Sequence, residues 1–356
     1  MSNLSFYSVF LDVDIIRPVA WNLGIIGVIA TLTAICYMLY NSSYNVLVSK
    51  NTRVQDTYDI AQNPSLFLLF NLLLSDLIGA IYILILAVGD YNYTSHLKLT
   101  YGNTSDFSRI KNQWFASLPC SIGRYLAQIS MLMSATLTLI ISVHRYILIV
   151  NPYIKNNMII KHFKISLSFV WIALTSVAMA IADFTLNNLH TRSPYTFVFL
   201  LNLCTFDGTA TKNHAIVAFS LLSYALVLYS VAVVLQSLVI AELRKSRIKF
   251  QSYTVSTLEK RYKITLGLMI VTNVMAYCLM AIVGINWAVG NLKPNQYGKF
   301  LFIFPYLNCI IDPMTYLLFQ IQNISRNLSG QKYQVHGDQK TSSRLKVMLS
   351  KASITI

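Results

Sequence analysis

Two carboxylates set in apolar runs are the first residues here with chemical potential. Asp76 lies in NLLLSDLIGA and Asp312 in LNCIIDPMTYLL, with Asn308 in the same run as Asp312 and Ser134 in a third apolar stretch. Two acids close together in a poorly solvated interior share a proton or hold a cation, because like charges resist joint ionisation. A hydrogen-bonded structural network without an ion would use the same residue types, and both readings stay open. Pro313 adds a freed backbone carbonyl beside Asp312. A second constellation is ionic. Arg145, in SVHRYILIVNPY, and Glu259, in STLEKRYK, end apolar runs that would carry them to one depth. A charge-assisted pair between them clamps two segments and is breakable, so it is a candidate switch. The alternative is an arginine that snorkels to the interface and only sets orientation. No nucleophile–base set and no metal-ligand spacing points to catalysis, so an enzyme is not expected.

The elements that position these residues follow from composition. The chain has 356 residues, 55% hydrophobic and 12% charged, with a mean hydropathy of +0.54. Soluble domains carry about 25% charged residues, so lipid is the expected solvent. Seven apolar segments run roughly over 18–40, 64–89, 117–149, 163–186, 215–240, 264–290 and 300–321. Each reaches the ~20 residues a helix needs to span a bilayer. Lipid demands an internally satisfied backbone, and these lengths exceed barrel strands, so the expected fold is all-α, a seven-transmembrane helix bundle. The first segment is longer than a signal-peptide core and no basic stretch precedes it. Residues 1–17 read as a short leading segment, 18–328 as the bundle with a short amphipathic helix after Tyr316, and 329–356 as a disordered tail.

Of the 28 Lys and Arg residues, 19 fall on one side of such a bundle. The positive-inside rule places that side in the cytoplasm, with the N-terminus outside and the C-terminus inside. A net charge of +15 would suggest nucleic acid in a soluble protein; here it reports topology, and no nucleic-acid partner is expected. The basic run 242–263 is expected to meet anionic lipid headgroups. Cys120 and Arg145 are 25 residues apart on one segment, which at 1.5 Å per residue is ~37 Å, enough to place them at opposite faces. Cys204 lies in an outer loop, and a Cys120–Cys204 bridge is the natural pairing in that oxidising compartment. Outward glycosylation sequons stand at Asn3, Asn92 and Asn103, the last two in a first outer loop read over 90–116.

Seven helices, LLLSDL, C-x24-R-Y-x4-N-P-Y and D-P-M-T-Y together resemble the rhodopsin-like G-protein-coupled receptors, over about residues 17 to 328. The resemblance implies a multi-pass plasma-membrane receptor that passes an outer ligand's binding to a heterotrimeric G protein. It implies that Arg145 releases an intracellular partner and contacts the G protein with Pro152 and Tyr153. His144, Arg145, Tyr146, Glu259, Asp312, Pro313 and Tyr316 would form the intracellular switch. Asp76, Ser134, Asn273, Asn308 and Asp312 would form the polar network, with Asp76, Ser134 and Asp312 as ligands of a possible sodium ion and no other cofactor. Within the family the likeness is to the glycoprotein-hormone, relaxin and leucine-rich-repeat receptors. Arg17-Pro-Val-Ala-Trp21, Asp90 at the end of IYILILAVGDY, Trp114 six residues before Cys120, and IVTNVMAYCL carry it. About 17 residues precede the first helix, and none forms a repeat, so a large-hormone ligand does not transfer.

This sequence departs from the family pattern at the switch. His144 replaces the acid beside the arginine, Thr31 the first helix's asparagine, Asn273 an aspartate, and Tyr277 and Leu279 the tryptophan and proline of helix six. Segments five and six contain no proline, so bending of helix six would fall to Gly267 or Gly284. A receptor-fold protein that couples weakly or not at all is therefore the alternative reading. Candidate ligand-pocket residues are Asp90, Arg124, Asp183, His214, Tyr277, Trp287 and Tyr297.

Overall fold

The computed structural model describes residues 16–49, 60, 63–100, 114, 117–150, 156–187, 204, 212–250, 259–260, 263–268, 270–275, 277–279, 281–282 and 303–330. The chain forms helices α1 (Ile16–Ser49), α2 (Pro64–Thr100), α3 (Leu118–Val150), α4 (Asn156–Asn187), α5 (Lys212–Phe250), α6 (Lys263–Leu279) and α7 (Asn308–Gly330), with a 3-10 turn at Phe304–Leu307 leading into α7. Among the described residues there is no strand. Windows long and apolar enough to cross a bilayer occur at Ile16–Ser42, Pro64–Asn92, Leu118–Val150 and Phe219–Ser246, with shorter apolar stretches at Ser166–Ile181 and Lys263–Leu279. The outward faces are apolar too: Ile29, Phe169 and Val234 are each more than half exposed. That pattern suits lipid rather than water around the helices.

Local sequence explains several boundaries. Asn63 caps α2, its Oδ1 accepting from the backbone N–H of Ser65 at 3.0 Å, and Pro64 takes the first helical position, as the free N–H groups of a helix start favour. At its other end α2 runs on to Thr100 instead of stopping at residue 89. YNYTSHLKLT contains neither Gly nor Pro, so nothing halts the helix once it leaves the apolar stretch. Asn92, expected in a loop, is therefore an exposed position on α2. After Tyr316, α7 likewise continues as one helix to Gly330 with Pro313 inside it, so the segment read as a separate amphipathic helix prolongs α7.

α3 is central, packing on α2, α4 and α5, while α7 packs on α1 and α2. Ser75 Oγ donates to the Ser130 carbonyl (3.1 Å) and Ser130 Oγ to the Ser75 carbonyl (3.0 Å), a reciprocal tie between α2 and α3. Gly79 permits this approach: a Cβ there would sit 2.6 Å from Ser130 Oγ and 3.0 Å from Cys309 Sγ. Small residues and buried hydroxyls are the usual means of close helix packing in lipid. Trp171 Nε1 donates to Asn71 Oδ1 at 2.9 Å, joining α4 to α2.

At one end of the bundle Cys120 and Cys204 are bridged and fully buried, as expected. Trp114 packs beside them in the same apolar cluster. Gly89 faces this indole, and a Cβ on it would overlap the ring. Gly89→Ala is expected to destabilise the protein by about 1–3 kcal/mol through overpacking, read as a lower thermal midpoint of detergent-solubilised protein. An unchanged midpoint would show that the indole gives way freely.

Candidate functional site

The sequence-selected polar residues fall into two cavities that share Asn273 as a wall. A cavity of about 30 Å³ in the middle of the bundle is lined by Asp76, Ser134, Tyr229, Asn273, Tyr277 and Asn308, among others. A second, of about 90 Å³ and nearer the end that carries Arg145, is lined by Arg145, Gln236, Asn273, Asp312 and Tyr316 among others. The structure thus divides the expected sodium set, with Asp76 and Ser134 at the first cavity and Asp312 facing Arg145's cavity.

The middle cavity brings buried polar groups together among apolar neighbours. Asp76 is 2% exposed and Asn308 4%. Asp76 Oδ2 and Asn308 Oδ1 have no hydrogen-bond partner among the described residues. Asn308 is held in place by its amide, which donates to Asn273 Oδ1 at 2.6 Å. Ser134 Oγ and the Tyr229 hydroxyl are 3.2 Å apart, and Tyr229 stacks on Tyr277 with ring centroids 5.5 Å apart. A cavity of this size has room for a small ion or about two waters. Buried acceptors without donors are costly, so the residues fit a small oxygen-bound cation better than an empty space.

α6 supplies the wall between the cavities through an irregular backbone. Ile270–Met275 is a π-helical turn, with Thr272 Oγ1 donating back to the Leu268 carbonyl at 2.9 Å and Asn273 Nδ2 to Thr272 Oγ1 at 3.1 Å. Of the two glycines expected to allow bending, Gly284 lies outside the described residues. Gly267 has open space where a Cβ would be, and the register change lies instead at the π turn. Such turns break the regular ladder without proline.

At the Arg145 end, His144 is buried, and its Nδ1 lies 3.3 Å from Ser65 Oγ in the first turn of α2. His144 therefore serves the α2–α3 contact. Glu259 is buried, with Lys263 Nζ 2.6 Å from its Oε1 one turn along. Tyr316 is buried beside Tyr37. Tyr146 packs with Val239, Leu243 and Phe319, tying α3, α5 and α7. Pro313 is buried within α7.

Of the expected ligand-pocket residues, Asp90 is fully buried and its Oδ2 is 2.6 Å from Arg17 Nε. Two features noted separately in the sequence are one ion pair between α1 and α2. Arg124 is fully buried with Nη2 3.9 Å from Cys120 Sγ. Tyr277 lies deep, at the middle cavity. Asp183 and His214 are on α4 and α5, with side chains outside the described set, and Pro152, Tyr153, Trp287, Tyr297, Asn3 and Asn103 lie outside the described residues.

Sequence reasoning passed over Tyr229 and Gln236. Gln236 is buried, donating to Ser142 Oγ at 3.2 Å. Their signal was available: seven positions apart in an apolar run, they share one helix face.

The sequence matches the family model of the 7 transmembrane receptor (rhodopsin family) over residues 45–316. The match spans most of the chain and every helix from the end of α1 to Tyr316, and the protein belongs to this family of membrane receptors. No curated protein matches the chain.

Proposed function

We propose that the protein is a plasma-membrane receptor that converts binding of an extracellular ligand at its disulfide end into engagement of a heterotrimeric G protein at its Arg145 end. The single observation that carries this reading is the cavity that opens around Arg145 between α3, α5, α6 and α7, with Asp312 and Tyr316 in its wall. A guanidinium offers planar, directional donors to a docking partner. Release of Glu259 from Arg145 would be the switch, and Pro152 and Tyr153 would extend the docking surface. The count of basic residues supports an outside N-terminus, a cytoplasmic C-terminus and glycans on Asn3, Asn92 and Asn103. The Arg17–Asp90 pair and Trp114 support kinship with the glycoprotein-hormone, relaxin and leucine-rich-repeat receptors. A sodium ion held by Asp76, Ser134 and Asn308 would occupy the middle cavity and satisfy its orphaned oxygens.

A specific observation favours a second reading. His144 is committed to Ser65 where an acid would hold Arg145, which fits a receptor-fold protein that couples weakly and acts as a partner or decoy. Basal cAMP, calcium and inositol phosphate in cells with and without the protein separate the two. The receptor reading expects a change in at least one messenger; flat results in all, with promiscuous G proteins supplied, favour the second.

A further inference from the structure

We propose that Tyr229 of α5 is a positioning residue for a monovalent cation in the Asp76 cavity, orienting Ser134 and linking the ion to the α6 residue Tyr277. The inference rests on the cation reading given above and adds to it a residue from a helix that the sequence did not implicate.

The geometry carries it. Tyr229 is 1% exposed, lines the cavity with Asp76, Ser134 and Asn308, and has its hydroxyl 3.2 Å from Ser134 Oγ. A serine hydroxyl has one proton and two lone pairs. To ligate a cation, Ser134 must turn a lone pair inward and send its proton elsewhere, and the Tyr229 oxygen at 3.2 Å can accept it. With the cavity empty of cation, the Ser134 proton is free to serve Asp76, whose Oδ2 lacks a partner among the described residues. The direction of the Ser134–Tyr229 bond therefore depends on what the cavity holds. Groups that orient a ligand in this way set much of an ion site's affinity. Because Tyr229 stacks on Tyr277, a change at the cavity acts on a ring seated just beyond the π turn of α6.

The test is thermal unfolding of the full-length protein in detergent, titrated with sodium chloride against choline chloride at constant ionic strength. The wild type should be stabilised specifically by sodium, and Asp76→Asn should abolish the effect. Tyr229→Phe keeps the ring and its stacking but removes the acceptor, and should raise the half-saturating sodium concentration roughly tenfold, in line with loss of an orienting partner at a metal site. Tyr224→Phe removes a hydroxyl from the same helix that is bonded to Thr136 outside the cavity and should leave the sodium dependence unchanged. A wild type indifferent to sodium overturns the cation reading and this inference with it. A wild type that responds to sodium while Tyr229→Phe matches it overturns the positioning role alone.

Discussion

Cells carrying the Arg145→Ala protein are expected to show no second-messenger change above cells without it, while displaying the protein at the wild-type surface level. Arg145 lines a cavity rather than a packed interface, so truncating it enlarges an existing space and removes little apolar contact. What it does remove is the planar cation that shares this cavity with Asp312. Each tenfold fall in coupling corresponds to about 1.4 kcal/mol, and loss of a multi-donor guanidinium contact removes several such factors. Arg145→Lys is the informative control, because it keeps the charge and discards the planar fork; an intermediate output is expected. Full output from Arg145→Ala, with surface level confirmed by labelling, would show that this cavity does not form the coupling surface.

The other large effect is structural and asymmetric. Asp90 is fully buried while the Arg17 side chain is 40% exposed, so removing one partner is not equivalent to removing the other. Arg17→Ala leaves a buried carboxylate without its cation at 2.6 Å, and breaking a buried pair in this way costs about 3–5 kcal/mol. The half-exposure of Arg17 puts the expectation near the lower bound. Asp90→Asn keeps shape and an acceptor while freeing only an arginine that already reaches solvent, and should cost about 1 kcal/mol. The double variant should recover part of the Arg17→Ala loss. Thermal midpoints of the three proteins decide it: Asp90→Asn proving the more damaging single change would mean that the pair does not join α1 to α2 as described.

Much of the architecture was readable from the chain because lipid is a demanding solvent. It fixes the length and hydropathy of each crossing, so seven segments, the bridged Cys120 and the Arg145 end of α3 could be placed by counting residues. Asp76, Asn308 and Asp312 stood out for the same reason, since polar groups in apolar runs are conspicuous. The ends of α2 and α7 were misjudged because a helix freed from lipid continues wherever no breaker intervenes, and hydropathy is silent on that.

Which face of each helix meets which neighbour was a matter for the tertiary structure. Leucine is as apolar as a lipid tail, so hydropathy does not separate a buried stripe from a lipid-facing one, and close packing with a few hydrogen bonds decides the arrangement. That is why Arg17 finds Asp90, His144 finds Ser65 and Asn308 finds Asn273 across separations of 73, 79 and 35 residues. It is also why the hydroxyl of Tyr229, one aromatic among many in the sequence, stands beside Ser134. The sequence by itself determined that these helices cross a membrane and at what depth their polar atoms lie; only the packed bundle decided which of those atoms touch, because depth is set by solvent and contact by the fit of one helix against the next.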